Sequence, residues 1–587
     1  MDEKSEGLMD WVKKHMEILH SDEKVINAFK HLEKNIRSKS KDPHLYPELN
    51  WDATVRKSND LCEDEKKFVH DRKLYICEAF ARYVGVEVDE IHPDDIPIIA
   101  LTGSGGGIRS MICATSYFYA AQESGLYDCG IYVSGVSGSG WGVAQLYTSM
   151  SNANKNPIQA QIESYRTKLD HNIIDAVKIF KALADNSSPQ EAVELAFGGL
   201  VQKKDSGIHL SLVDIYGALL GAMLLIGPDS TIQSLDFKLS SQKKYVEGGK
   251  KPLPVYAAIY DNRPWKDYLE PEYAALIPDY DQVLERHKMK KGYFQWYEFT
   301  PFEFGCEEFP SYIPTWAFGR KFESGKNVSR IPEQNFGLIL GLLGSSPAGT
   351  LKFDLQEFES TLPDEIKSEI NISKKVQDKL GEHEKDVLER IHPIPQTNNH
   401  NYNYHLYPPP YELGITSLRN LPILDPAPSN ELPMYPLTNP SRKIDIIIGF
   451  NSARQVIEHE LFDEQQNEFC KRRGYDRIVR DISNKHCEIY DYIPNGKATA
   501  HNLQATNPTV FCHMPYLKND KVDPTFEPLK ASFTNTINFI YTAEQVDLMF
   551  NVAKQNWLDN EHKIKEVIIK EWKKKRIARQ LNQNSQN

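Results

Sequence analysis

The stretch Ile96-Pro97-Ile98-Ile99-Ala100-Leu101-Thr102-Gly103-Ser104-Gly105-Gly106-Gly107-Ile108-Arg109 decides how this chain is read. Its first half is a short apolar run with the length of a buried strand, and its glycines mark the loop that ends it. From Ile108 to Glu123 there is neither Gly nor Pro, so a helix is expected next. The same grammar returns at once: Ile131-Tyr132-Val133, then the turn Gly135-Val136-Ser137-Gly138-Ser139, then a helix-compatible stretch from Gly140 to Ser149. Strand, loop, helix, repeated, is the pattern of an α/β fold.

Further strands are expected at Val255–Tyr260, Tyr293–Thr300, Leu421–Asp425, Ile444–Ile448 and Thr509–Cys512. Residues 160–250 read as mostly helical, and no internal repeat is present. The blocks 96–150 and 421–515 are expected to share one sheet, giving a single catalytic domain over residues 46–560. Residues 1–45 read as a polar helical extension carrying Met9, Trp11, Val12 and Met16. Residues 346–424 read as a cap or lid insertion. Its acidic, helix-prone part gives way to an Asn/Tyr-rich run and then Pro408-Pro409-Pro410, a surface excursion with a mobile tip at 396–406. A static insertion is the alternative to a lid. The tail 561–587 is basic. Its Ile564, Val567, Ile568 and Trp572 suit either an amphipathic helix on anionic lipid or a solvated terminal helix.

Composition narrows the function classes. The chain has 587 residues, 40% hydrophobic and 26% charged, enough apolar material for a large core. A net charge of -12 argues against nucleic acid as a partner. The eight cysteines are scattered without a C-x-x-C pair, which favours free thiols over disulfides or zinc. The start Met1-Asp2-Glu3-Lys4 lacks the pattern of a signal peptide, and no run has the length of a membrane span. The expected setting is cytoplasmic, with peripheral contact to membranes. The sequons at Asn186, Asn327 and Asn371 then read as chance matches.

The chemistry lies in the two loops. Gly135-Val136-Ser137-Gly138-Ser139 approaches the nucleophile elbow G-x-S-x-G, with Ser139 for the last glycine. A sharp turn with small neighbours lifts the serine oxygen to a helix N-terminus, where the helix dipole favours an oxyanion. A tight turn with an idle serine is the alternative. The glycine loop lacks the Gly-Lys-Ser/Thr of a phosphate-binding P-loop, and Ile108 occupies the last glycine position of a dinucleotide fingerprint. It reads better as an oxyanion hole built from the amides of Gly106 and Gly107, with Gly138 as a third donor and Arg109 as a cation suited to a phosphate head group. Arg109 in an ordinary salt bridge is the plainer alternative. The base is left open by the residues alone: His392, His405, His501 and His513 are candidates for a Ser-His-Asp triad, and Asp425 for direct action.

Several motifs resemble the cytosolic phospholipase A2 and fungal phospholipase B family. They are the glycine loop through Met111; the Ser137 turn with Trp141; Glu298-Phe299-Thr300-Pro301-Phe302-Glu303-Phe304-Gly305; Phe318–Phe322; Gly341–Ser345; Asp425–Pro433; Arg442 with Ile444–Ala453; and Phe533–Tyr541. They run in order over residues 45–560. The resemblance implies a patatin-related, three-layer α/β/α hydrolase with a cap. It implies a Ser-Asp dyad with Ser137 as nucleophile and Asp425 as base, oxyanion donors at Gly106 and Gly107, and Arg109 on the substrate phosphate. The implied reaction is hydrolysis of fatty-acyl esters of phospholipids or lysophospholipids through an acyl-serine. Burial of Asp425 would strengthen it as a base.

Three departures are visible. Pro426 and Ala427 follow the aspartate, Glu431 stands where the family has asparagine, and the cap is short. No room precedes residue 45 for a calcium-binding C2 domain, so calcium-independent catalysis without metal or other cofactor is expected. A Ser-His-Asp esterase of soluble esters and a non-catalytic lipid-binding relative are the rival functions.

Overall fold

The structure, a computed structural model, describes residues 23–170, 190–226, 234–262, 293–345, 396–406, 415–457, 459–499, 503–536 and 538–586. His392, His501, residues 1–22 and most of the expected 346–424 insertion lie outside them.

The strands, in chain order, are β1 (Ile99–Gly103), β2 (Tyr132–Gly135), β3 (Leu253–Asn262), β4 (Tyr293–Phe299), β5 (Glu303–Cys306), β6 (Ser311–Pro314), β7 (Phe322–Glu323), β8 (Lys326–Asn327), β9 (Thr397–His400), β10 (Asn420–Ile423), β11 (Ile446–Asn451), β12 (Tyr475–Asn484), β13 (Cys487–Pro494) and β14 (Thr509–Pro515). Ten form one sheet in the order β12-β13-β14-β11-β1-β2-β3-β4-β5-β6. Its middle, β14-β11-β1-β2-β3, is parallel, and both flanks are antiparallel. Helices cover both sides, an α/β architecture. Every residue of β1, β2 and β11 is buried, as expected where both faces of a parallel sheet are packed. The blocks 96–150 and 421–515 thus meet as neighbouring strands.

Two expectations change. The segment 421–425 does not join the large sheet. Its β10 pairs antiparallel with β9, and it touches the sheet through one bridge, Leu424 to Ile259 of β3. The tip at 396–406 is not an exposed excursion: Asn401, Tyr402 and Asn403 are buried, and the Tyr402 hydroxyl donates to the Ser311 carbonyl at 2.9 Å. An Asn-rich run looks like a loop in sequence, but here Asn401 Nδ2 donates to the Ile415 and Leu418 carbonyls and fixes the run inside.

Beneath the sheet lies a buried charge cluster. Arg442 bonds Glu65 at 2.8 Å and grips both carboxylate oxygens of Glu298, while the Tyr132 hydroxyl at the start of β2 donates to Glu65 at 3.0 Å. Burial raises the Glu298 carboxyl to about 7 despite Arg442.

The last helix, Ala543–Gln586, runs unbroken past residue 561. Ile564, Val567, Ile568 and Trp572 are buried in the common core, Trp572 edge-on to Phe80. The face read as lipid-binding is therefore spent on the protein's own core. The basic side clamps the entry of β1. Arg579 holds the buried Asp95 through two bonds of 2.7 and 2.8 Å, and Lys575 meets Asp445 at 2.6 Å. Replacing Trp572 by Ala is expected to lower the free energy of unfolding by about 3–5 kcal/mol in urea denaturation. Co-sedimentation with anionic vesicles should not change; its loss in a folded variant would return this face to lipid.

Candidate active site

Two loops leave adjacent parallel strands at the same level, since Gly103 of β1 is in register with Gly135 of β2. The first carries Ser104, Gly105 and Gly106 into the helix Gly107–Glu123, and the second carries Val136 and Ser137 into the helix Gly138–Leu146. Ser137 caps the second helix at φ 52°, ψ −124°, a left-handed conformation rare for a residue with a side chain. Such strain in a buried serine at a helix N-terminus is what an elbow imposes.

The loops are locked together. The amide of Val136 donates to the Gly103 carbonyl at 3.0 Å. Ser139 donates its hydroxyl to the carbonyls of Ser104 at 2.6 Å and Ser110 at 3.3 Å. A Cβ on Gly138 would stand 1.8 Å from the Gly107 carbonyl oxygen, so only glycine permits this approach. Gly107 itself has φ 63°, and a Cβ there would meet the Thr536 carbonyl at 2.2 Å. Gly106, Gly107 and Gly138 thus sit at or beside two converging helix N-termini, where amides lack intrahelical partners.

Asp425 arrives from outside the sheet. Leu424 exchanges two 2.9 Å backbone bonds with Ile259, three residues beyond the β3 residue that is level with Gly135. Asp425 therefore emerges past the same strand edge as Ser137. It is fully buried; its amide donates to Ser345 Oγ at 3.1 Å, and its Oδ1 accepts from the Ala427 amide at 2.9 Å. Ser345 ties it to the helix Gly138–Leu146, because Gly344 lies under the Trp141 ring and Trp141 Nε1 donates to the Leu340 carbonyl at 2.9 Å.

Arg109 is buried in the first turn of the glycine-loop helix. Its Nε donates to the Ser452 carbonyl at 2.9 Å, and its Nη1 to the Thr534 carbonyl at 2.7 Å and Thr536 Oγ1 at 3.3 Å. It therefore joins three chain segments, with its Nη2 against Gly106. Desolvation lowers its pKa.

Residues 99–565 match the family model described as lysophospholipase catalytic domain. The chain belongs to this family. It is 28% identical over 295 residues to human cytosolic phospholipase A2 epsilon, covering 50% of this chain and 29% of that protein. It is 26% identical over 291 residues to mouse cytosolic phospholipase A2 delta, covering 50% of this chain and 30% of that protein. The matched stretches thus span under a third of these relatives. Among solved structures, human GIVD cytosolic phospholipase A2 superposes with a TM-score of 0.61 at 19% identity, covering 88% of this chain and 66% of that one. Its complex with methyl gamma-linolenyl fluorophosphonate gives 0.58 at 19% identity, covering 89% and 66%. At that identity the structural likeness concerns the fold.

Within this lysophospholipase-family domain, the two described candidate histidines stand apart from Ser137. His405 is exposed beside Glu323. His513 is buried between Glu488 at 2.9 Å and Asn451 at 3.0 Å. Neither bonds Ser137 among the described residues. Three contributors were not singled out by the sequence reading. Ser345 was legible only as the end of a motif block. Tyr216, on the helix Leu212–Leu225, has its titration raised by burial and by the charge of Asp425, and nothing in its sequence context signals that. The hydroxyl of Ser139, the residue that stands for the elbow's last glycine, fastens the two loops. Gly138→Ala is expected to destabilise this family member by about 1–3 kcal/mol, because the opposing atom is backbone. Thermal unfolding checks this; an unchanged midpoint would mean the loops are not held at this distance.

Proposed function

We propose that this chain hydrolyses fatty-acyl esters of phospholipids and lysophospholipids through a Ser137–Asp425 dyad. The observation that carries the reading is the strained, buried Ser137 at a helix N-terminus, locked against the Gly105–Gly107 loop, with Asp425 emerging past the same strand edge. Family membership and the names of the relatives supply the substrate class.

In this mechanism Asp425 removes the Ser137 proton as Ser137 Oγ attacks the ester carbonyl. The amides of Gly106, Gly107 and Gly138 receive the oxyanion, aided by two helix dipoles. The alcohol leaves with a proton, and water, activated by Asp425, releases the fatty acid from the acyl-serine. The bond from the Ala427 amide to Asp425 Oδ1 holds the carboxylate in place. Arg109 Nη2, beside Gly106, is the edge of the guanidinium placed to meet a lipid phosphate. Access to such a substrate involves transient contact with a membrane or micelle surface. No helix of the described residues is long and apolar enough to cross a membrane.

The test is fatty-acid release from lysophosphatidylcholine micelles and phosphatidylcholine vesicles with excess calcium chelator. Wild-type protein is expected to be active. Ser137→Ala and Asp425→Asn should each lose on the order of a thousandfold or more in kcat. Full activity in folded Asp425→Asn would sink the dyad, and loss of activity on chelation would sink calcium independence.

A further inference from the structure

Glu431 stands at the junction of the three segments that build the site, six residues after Asp425. Its carbonyl accepts from the Gly105 amide at 3.1 Å. Its amide donates to Gln465 Oε1 at 3.0 Å, and Gln465 Nε2 donates to the Ala427 carbonyl at 3.3 Å, so its backbone is pinned to both the glycine loop and the Asp425 turn. The side chain turns towards the loop. A Cβ on Gly105 would lie 2.4 Å from Glu431 Oε2, with Val136 Cγ1 at 3.4 Å and Ala427 Cβ at 3.5 Å around the same point. That oxygen is buried and hydrogen-bonds nothing among the described residues.

We propose, resting on the Ser137–Asp425 reading, that Glu431 is a positioning residue whose protonated carboxyl keeps the Gly105–Gly107 loop and Asp425 in working geometry, and whose ionisation turns the site off.

The charged groups around it decide the sign. Asp425 faces it from its own loop and Arg109 from the glycine-loop helix; the helix His459–Arg473 contributes the neutral Gln465, and the Ser137 turn the apolar Val136. Burial, then the charge of Asp425, push the Glu431 carboxyl up to about 8, with Arg109 pulling the other way. The Nε and Nη1 of Arg109 are committed to Ser452, Thr534 and Thr536, and Glu431 Oε2 has no hydrogen bond among the described residues, so Arg109 offsets the shift only in part. At neutral pH Glu431 therefore keeps its proton. Above its pKa, a carboxylate whose Oε2 is buried and bonds nothing among the described residues would lie against the loop whose amides must receive an oxyanion, and beside a second carboxylate. Activity is thus present below this pKa and lost as pH rises through it.

The experiment compares wild type, Glu431→Gln and Glu431→Leu by kcat and KM on lysophosphatidylcholine between about pH 6 and about pH 10. Infrared difference spectra of the three unliganded proteins follow the protonated carboxyl band over the same titration. Wild-type kcat should fall about tenfold per pH unit above about 8. Glu431→Gln, whose amide presents an N–H where the acid presents an O–H, should abolish that fall. Glu431→Leu should lose roughly tenfold in kcat at every pH, with KM little changed. A carboxyl band lost on titration in wild type and missing from both variants supports the proposal. An unchanged alkaline fall in Glu431→Gln, or the same band in wild type and variant, overturns it. Inactive wild type, or active Ser137→Ala, would instead defeat the dyad reading, while the infrared band still reports the Glu431 proton.

Discussion

The approach of Gly138 to the Gly107 carbonyl is the contact on which the site depends. It brings two helix N-termini together at one edge of a parallel sheet. Each terminus carries the equivalent of about half a positive charge. A single such end is a common structural feature; two that converge beside a strained serine make a place where negative charge is favoured. The contact survives because β1 and β2 end in register and because no side chain intervenes. Ser139 and Val136 then fasten the two loops from the inside.

Asp425 comes to this edge by a different route. The segment that carries it is tethered to the sheet by one bridge, to β9 by a short antiparallel pair, and to the helix after Ser137 through Ser345. Pro426 and Ala427, which depart from the family motif, do not deprive that carboxylate of support: the Ala427 amide bonds it directly, as any non-proline residue at 427 would.

Charge is handled by burial with fixed partners. Arg442 with Glu65 and Glu298, and Arg473 with Glu307, are each enclosed and bonded. Removing one member of such a set leaves the other as an uncompensated buried charge, so these residues hold the core to one arrangement. The terminal helix adds the same device at the opposite end of β1, through Asp95 and Asp445.

Local sequence determined the strands of the parallel centre, the two glycine-bearing loops, the helices after them and the serine between. Those features arise from short-range rules: apolar runs of strand length, glycines where backbones must touch, and helix-compatible stretches behind them. Motif order also pointed to Asp425. The hairpin β12–β13 escaped notice because it carries mixed charged and apolar residues on a half-exposed edge. The burial of Tyr402, the spending of Ile564 and Trp572 on the core, and the meeting of Glu431 with Gly105 were decided only by tertiary structure. Each depends on a partner far away in the chain, and an amphipathic helix or a polar loop reads the same whether water, lipid or the protein's own core covers it.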